Sequence, residues 1–441
     1  MANTYLTRTI GTPTLNTKYT ISFWIKKGSI GDIFVIDGRD DASNRFKIAF
    51  GTTGTIECFN YHSGSPTIEF TTNRVFTDPS AFYHMLLAVD TTDGTAGDRF
   101  KFYVNGVRET SFSSSTNPSL SDANNVINES GNTVTIGAYN SGSGNTYYFD
   151  GVLSHFYFID GTAYAPTVFG ETDATTGEWK INTSPSITMG TNGFTILKDG
   201  NTITDQSSNS NDFTLGGGTL TNTEDNPSNV FATFNPLIPQ GLAYANGNLS
   251  ATHNAASWKT AYGTLAMSGT GKYYFESKVS TLGSYQGVGI VDVEQATSTA
   301  GKFVAQSRGY GYKTTGEKTN NDIDASYGGT YTTGDIIMTA VDLNAGAIWF
   351  GKNGTWLNSA TQSEIEAGTT TNAAFTSISN SYVYYPAVQI YGSGTNQTNF
   401  GNGYFGTTAI SSEGTNASGI GKFEYDVPTG YTALSTKGLN L

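Results

Sequence analysis

Along most of the chain, short stretches with apolar side chains at every second position alternate with turns rich in Gly, Asn, Ser and Asp. In Thr20-Ile21-Ser22-Phe23-Trp24-Ile25-Lys26-Lys27 the alternate residues Ile21, Phe23 and Ile25 place one strand face inward. Stretches 33–36, 46–50, 55–60, 67–70, 84–89, 100–104, 134–138 and 153–159 continue the pattern at the spacing of a β-sandwich. Asn105-Gly106, between Phe102-Tyr103-Val104 and Val107, predicts a two-residue hairpin turn. No stretch holds a helical period for three turns, and only 165–169 and 363–367 allow a single helical turn each.

The region 184–239 changes character. A last strand at 193–197 gives way to Asp205-Gln206-Ser207-Ser208-Asn209-Ser210-Asn211-Asp212, then Gly216-Gly217-Gly218, then Asp225-Asn226-Pro227. Alternation restarts at Gly271-Lys272-Tyr273-Tyr274-Phe275-Glu276 and runs through 287–293, 309–312, 334–342, 346–350, 384–390 and 397–400. The halves share no sequence period, so a solenoid is not expected. The pattern predicts an all-β chain: one sandwich at 1–216, a connector at 217–240 and a second sandwich at 241–441.

Composition agrees with two domains, since 441 residues exceed one ordinary sandwich. Aromatic and charged residues each make up 13 %, so apolar surface is plentiful and disorder is not expected. A net charge of −13 with 23 Lys and Arg leaves no obvious polyanion-binding face, so no nucleic acid partner is expected. Cys58 is the sole cysteine, which suits folding in a reducing cytosol without disulfides. No run approaches the ~18 apolar residues of a membrane span, so no membrane insertion is expected. Met1-Ala2-Asn3-Thr4-Tyr5 lacks the basic and apolar blocks of a leader. A chain of this kind acting outside a cell would leave by lysis or on a particle.

Several motifs carry a family resemblance. In the second half these are Gly271-Lys272-Tyr273-Tyr274-Phe275-Glu276, Gly287-Val288-Gly289-Ile290, Gly309-Tyr310-Gly311-Tyr312, Gly334-Asp335-Ile336-Ile337-Met338 and Ala340-Val341-Asp342-Leu343. They continue with Ile348-Trp349-Phe350-Gly351-Lys352-Asn353-Gly354, Tyr385-Pro386-Ala387-Val388 and Asn399-Phe400-Gly401. In order and spacing they resemble a SPRY domain, which implies a bent sandwich that binds partners through loops. Segments 19–27, 84–90, 100–107, 134–137 and 148–159 resemble a laminin-G-like or concanavalin A-like jelly roll. The stretches 205–213 and 225–237 look like a linker of tailed-phage structural proteins, and Tyr5-Leu6-Thr7-Arg8-Thr9 is similar to the start of such phage jelly rolls. The resemblance implies a bacteriophage virion protein, folded in the host cytoplasm and exposed on the particle, with other virion proteins as partners and a homo-oligomeric state.

Candidate chemistry is sparse. The histidines are His62, His84, His155 and His253, and the second and third sit in apolar strands as sheet histidines would. There is no Gly-x-Ser-x-Gly elbow and no His-Glu-x-x-His. Glu276 and Asp342, the carboxylates a glycosidase reading would use, match ordinary SPRY strand positions. The expectation is no enzyme and no cofactor. The acidic loops Asp37-Gly38-Arg39-Asp40-Asp41 and Asp90-Thr91-Thr92-Asp93-Gly94 would suit calcium, yet Asp and Gly are also plain turn residues. Cys58 reads as a small buried hydrophobe.

Aromatic rings beside Gly, Ser and Asn are the candidates for glycan contact. In the second half they are Tyr310, Tyr312, Tyr327, Tyr331, Trp356, Tyr382 and Tyr391; in the first, Tyr61, His62, Tyr139, Tyr147 and Tyr148. The expected glycan site is Tyr310, Tyr327, Tyr331, Trp356 and Tyr391. Tyr327 and Tyr331 flank the permissive Gly328-Gly329, and Trp356 follows the Asn353-Gly354 turn. Each tyrosine has a bland reading too, as packing at a sheet edge or subunit contact. Three functions stay open: a tail-fibre or receptor-binding adhesin holding host surface polysaccharide, a capsid or tail decoration or head-fibre protein, and a glycan-degrading enzyme. Strand patterning opens within the first residues, which favours a short appendage, a distal module or a decoration protein over a complete fibre.

Overall fold

The structure is a computed structural model that describes residues 3–29, 31–198, 200, 203–238, 240–296 and 301–440. Met1 and Ala2 of the leader reading and Pro239 of the connector lie outside them. The chain divides into two compact units, Met1–Asn222 and Thr223–Leu441.

In the first unit two antiparallel sheets enclose one core. The larger sheet runs, edge to edge, through Phe112–Thr116, Ser65–Val75, Thr55–His62, Arg45–Phe50, Ile33–Arg39, Thr133–Ile136, Tyr5–Thr9 and Thr214–Gly217. The smaller runs through Phe194–Ile196, Gly151–Asp160, Lys18–Lys27, Tyr83–Asp90, Phe100–Val104 and Val107–Arg108. Period-two alternation decides what enters the core. Ile21, Phe23 and Ile25 meet Phe46, Ile48 and Phe50 there. Asn105 and Gly106 take φ of 48° and 77°, the left-handed pair a two-residue hairpin requires. Gly106 is needed twice over, because a Cβ there would lie 2.4 Å from the Trp179 ring.

The second unit also has two main sheets, antiparallel except where Thr432–Ala433 pairs parallel with Lys272–Thr281. One holds, in order, Ala243–Ala245, Ser250–His253, Gly394–Asn399, Lys272–Thr281, Ile336–Asp342, Ala347–Lys352 and Thr355–Trp356. The other holds Trp258–Tyr262, Tyr384–Tyr391, Tyr285–Asp292, Gly309–Lys313, Glu317–Asn320 and Ile323–Ser326. A second apolar cluster on the first of these sheets joins Tyr274, Trp349 and Trp356 to Phe423 and Tyr431 of the C-terminal segment. The one α-helix among the described residues, Gln362–Glu366, is a single turn closed by a capping box between Thr361 and Glu364.

The stretch read as a connector is mostly built into the units. Thr214–Gly217 pairs with Tyr5–Thr9 at the edge of the first unit's larger sheet. Phe231, Ala232 and Phe234 are core residues of the second unit, and Ala232 N–H donates to the Leu434 carbonyl at 2.9 Å. The reason is apolar burial: these side chains are wasted in a solvated linker and fill gaps beside Tyr274 and Phe400. The polar run 205–212 is a closed turn. Asp205 accepts from the backbone of Thr195, Ser207 and Asn211 at 2.8–2.9 Å. Each unit therefore has its own core, and residues 1–222 and 223–441 expressed separately should each unfold cooperatively, as read by calorimetry. Aggregation or a broad non-cooperative melt of either piece would contradict this.

Candidate functional site

Most of the expected second-unit rings point inward. Tyr327 and Tyr331 are 5 % and 4 % exposed and pack with Tyr312 and Phe350 between the sheets. Their hydroxyls are used internally: Tyr331 donates to the Tyr312 carbonyl at 2.9 Å and Tyr327 to the Asn372 carbonyl at 3.4 Å. Burial pushes the Tyr331 hydroxyl well above the usual tyrosine range. Trp356 is buried edge-on to Tyr274, with centroids 6.4 Å apart. These three are a correction to the loop-tip expectation: Gly328-Gly329 and Asn353-Gly354 let the chain fold back, so the rings cap the core. Tyr310 is half-buried between Phe375 and Tyr384. Tyr391 stands in an outer-face group with Trp258 and Tyr285, at centroid distances of 5.2 and 6.2 Å.

A second aromatic group forms on the outer face of the first unit's larger sheet. Strand Thr55–His62 turns Ile56 and Cys58 into the core, so Glu57, Phe59 and Tyr61 share the opposite face. On the neighbouring strand Phe46 and Ile48 point in, leaving Arg45 and Lys47 beside them, with Arg45 opposite Tyr61 and Lys47 opposite Phe59. Phe59 and Tyr61 stack at 4.5 Å. Lys47 bonds Glu57 at 2.6 Å and lies 5.0 Å from the Phe59 ring centre. The Arg45 guanidinium sits 4.5 Å from the centre of Tyr139, and Tyr139 and Tyr147 flank Phe34 at 5.0 and 6.0 Å.

A small hairpin, Tyr139–Asn140 paired with Asn145–Thr146, brings the last two tyrosines there. Buried Asp37 accepts from Arg45 at 3.4 Å, and Arg39 donates to the Asn140 carbonyl of the hairpin at 3.4 Å. Burial raises the Asp37 carboxyl to about 7, with Arg45 pulling the other way. Tyr147 is 51 % exposed, while Tyr61 and Tyr139 are partly exposed. Of the first-half candidates, Tyr61, Tyr139 and Tyr147 thus come together; Tyr148 packs on Tyr5, and His62 ends its strand opposite Ser65. Sequence reasoning passed over Phe34, Arg45 and Phe59. The available signal was Phe59 on the same phase as Glu57 and Tyr61, out of step with the core positions.

Residues 2–169 match the family model described as the Concanavalin A-like lectin/glucanases superfamily, and residues 272–403 match that of the SPRY domain. The chain is a concanavalin A-like domain followed by a SPRY domain. Similar solved structures include the SPRY domain of human HERC1, 20 % identical over 37 % of this chain and 96 % of that one, with a TM-score of 0.30. A human SPRY domain is 15 % identical over 36 % and 93 %, with a TM-score of 0.26. A heptameric SAP-like pentraxin from Limulus polyphemus is 16 % identical over 37 % and 72 %, with a TM-score of 0.28.

The groups weighed for catalysis and metal binding are engaged internally. In the concanavalin A-like domain, the Trp179 indole N–H donates to His84 Nδ1 at 3.1 Å, which leaves the proton on Nε2 to donate to Ser22 at 2.9 Å. That polarity is the reverse of a base taking a serine proton. Burial lowers the His84 pKa to about 3, so the ring is neutral. Asp41 accepts from the Ser43 and Asn44 backbone, Asp90 bonds Lys18 at 2.8 Å, and Asp93 accepts from Thr95 N–H at 2.8 Å. Cys58 is buried, which pushes its thiol up. In the SPRY domain Glu276 and Asp342 are buried in separate networks, Asp342 beside Lys272 at 3.0 Å.

Proposed function

We propose that this chain is a non-enzymatic adhesive protein on a bacteriophage virion surface, contacting host cell-surface glycans through the concanavalin A-like domain. The observation that carries this reading is the strip of Tyr61, Phe59, Arg45, Phe34, Tyr139 and Tyr147 on one sheet face. Ring faces suit the apolar faces of sugars, and Arg45, Lys47 and Glu57 supply donors and acceptors for hydroxyls. The two domain assignments support a carbohydrate- or protein-binding adhesion role. The virion setting rests on the resemblance of 205–213 and 225–237 to a phage linker; assembly in the host cytoplasm, virion partners and a homo-oligomer belong to the same proposal.

The test is binding of the purified chain to host capsule or lipopolysaccharide, with release of reducing ends followed in parallel. Tyr139→Ala with Tyr147→Ala should weaken binding about tenfold at an unchanged melting temperature, and no reducing ends should appear. Binding that ignores the double variant removes the strip from the reading. A chain that binds no host glycan yet docks on capsid or tail is a decoration protein instead.

A further inference from the structure

The aromatic strip of the concanavalin A-like domain has one buried acid within it. Asp37 sits opposite Lys47 on one neighbouring strand and opposite Thr135 on the other. Phe46, Ile48, Val134 and Ile136 on those strands face the core, so Asp37 points to the outer face of the sheet. It is nevertheless fully buried, because the hairpin carrying Tyr139 and Asn140 packs against its strand at Phe34 and Arg39. Its Oδ1 accepts from Arg45 at 3.4 Å, and its Oδ2 has no hydrogen-bond partner among the described residues. An anion buried with one long bond is costly, and a proton on it removes most of that cost.

The charges facing Asp37 leave one cation that depends on it. Lys47 is paired with Glu57 at 2.6 Å. Arg39, on the same strand as Asp37, donates to the neutral Asn140 carbonyl and is followed by the exposed acids Asp40 and Asp41. The strand Thr133–Ile136 brings no charged group, and residues 139–147 of the hairpin bring only the tyrosines Tyr139 and Tyr147. Glu69 lies two strands from Lys47, beyond Phe59. Among the described residues, Asp37 is the one carboxylate that pairs with Arg45. The Arg45 side chain is 16 % exposed and lies 4.5 Å from the centre of Tyr139. With Asp37 ionised the pair is neutral. With Asp37 protonated, Arg45 is an unbalanced cation beside the rings of the strip. Burial raises the Asp37 carboxyl to about 7, so both states are populated near neutral pH.

We infer that the strip takes an acidic sugar, a hexuronate unit, whose carboxylate replaces Asp37 as the counter-ion of Arg45 while its ring rests on Tyr139 and Tyr147; this rests on the adhesive reading of the strip and narrows it to one ligand class. The sugar carboxylate meets Arg45 at the end of the strip away from Glu69. Wherever Asp37 is ionised in the free protein, binding takes up one proton, which the Asp37 carboxyl holds in the complex. The sign follows from that uptake. The ligand favours neutral Asp37, so affinity is highest below about 7 and falls by up to tenfold for each pH unit above it. An ordinary carboxyl is ionised throughout pH 5.5–8, so the dependence belongs to the protein and not to the sugar. A neutral hexose has no use for the freed charge and binds alike across the range.

The experiment uses the full chain with methyl glucuronoside and methyl glucoside at millimolar concentration, read by saturation-transfer NMR at pH 5.5 and 8, with the melting temperature taken at both. The glucuronoside should bind more tightly than the glucoside at pH 5.5 and weaken about tenfold by pH 8, while the glucoside stays level. Asp37→Asn keeps the shape without the charge and should hold the glucuronoside at its low-pH affinity at both pH values. Arg45→Gln should remove both the preference for the acid and the pH slope, and it decides the matter if Asp37→Asn fails to fold. Host glycan binding that depends on Tyr139 and Tyr147, with no preference for the glucuronoside or with the parental slope in either variant, would overturn this proposal and leave the adhesive reading standing. Absence of any glycan binding that depends on those two tyrosines would overturn both.

Discussion

Tyr331→Ala is expected to destabilise the SPRY domain by about 3–5 kcal/mol, while glycan binding per folded molecule stays at the parental level. The ring lies 5.2 Å from Tyr312, which in turn stacks on Phe350 at 5.6 Å, so truncation empties a space in the middle of an aromatic cluster. It also removes the hydrogen bond to the Tyr312 carbonyl, worth about 1 kcal/mol. Trp356→Ala should cost a similar amount, because its indole faces Tyr274 across a second apolar layer. Tyr331→Phe, which keeps the packing, should lose only the hydrogen-bond share. Denaturant midpoints and glycan binding normalised to folded protein check this together. Stability within about 1 kcal/mol of the parent with binding lost would return these rings to the surface role.

The second large effect concerns Glu276. Its fully buried carboxylate accepts from Tyr274 Oη–H at 3.0 Å, Asn399 Nδ2 at 3.3 Å, and the Glu424 and Tyr425 backbone N–H groups at 2.9 Å each. It thereby ties the segment carrying Phe423 to the central strand Lys272–Thr281. Glu276→Gln places an amide N–H₂ against these donors and should cost at least about 3 kcal/mol.

The pH dependence follows from the same burial. Desolvation raises the carboxyl from the ordinary 4.5 to about 7, outweighing the four donors that pull it down. A folded-state pKa above the unfolded one stabilises the fold at low pH. That contribution is fully present below about 4.5 and is lost as pH rises through about 7, a change of about 3 kcal/mol. Asp37, raised to about 7 by its own burial, acts in the same direction in the concanavalin A-like domain. Urea midpoints of the full chain between pH 4.5 and 8 should fall with pH, and the SPRY transition should flatten in Glu276→Gln. A variant with the parental slope would assign the titration elsewhere.

Part of the candidate sites was legible and part was not. Tyr61, Tyr139 and Tyr147 stood out as aromatics next to small polar residues, and the fold brings them onto one face with Arg45. The inward turn of Tyr327 and Tyr331 was not legible. A glycine pair permits a ring to project or to fold back equally well, and apolar burial against Tyr312 settles the choice. Asp37 read as one acid of a loop, and its burial against Arg45 beside the hairpin of Tyr139 and Asn140 was not legible either.

What the sequence determined by itself was everything fixed by neighbouring residues. Alternation set which side chains of Lys18–Lys27 and Lys272–Thr281 face a core, and Asn-Gly pairs at 105–106 and 353–354 set turns with positive φ at both positions. The restart of the pattern set the number of sandwiches. The tertiary structure alone decided what happens on the other face of each sheet. Phe303 and Val304 cover one outer face in part, Phe423 and Tyr431 cover another, and the face bearing Phe59 and Tyr61 keeps partly exposed rings. A strand's own residues read the same whether its second face meets water or a distant segment. The covering residues lie up to about 150 positions away, as Glu276 and Tyr425 do, and only the closed chain brings them together.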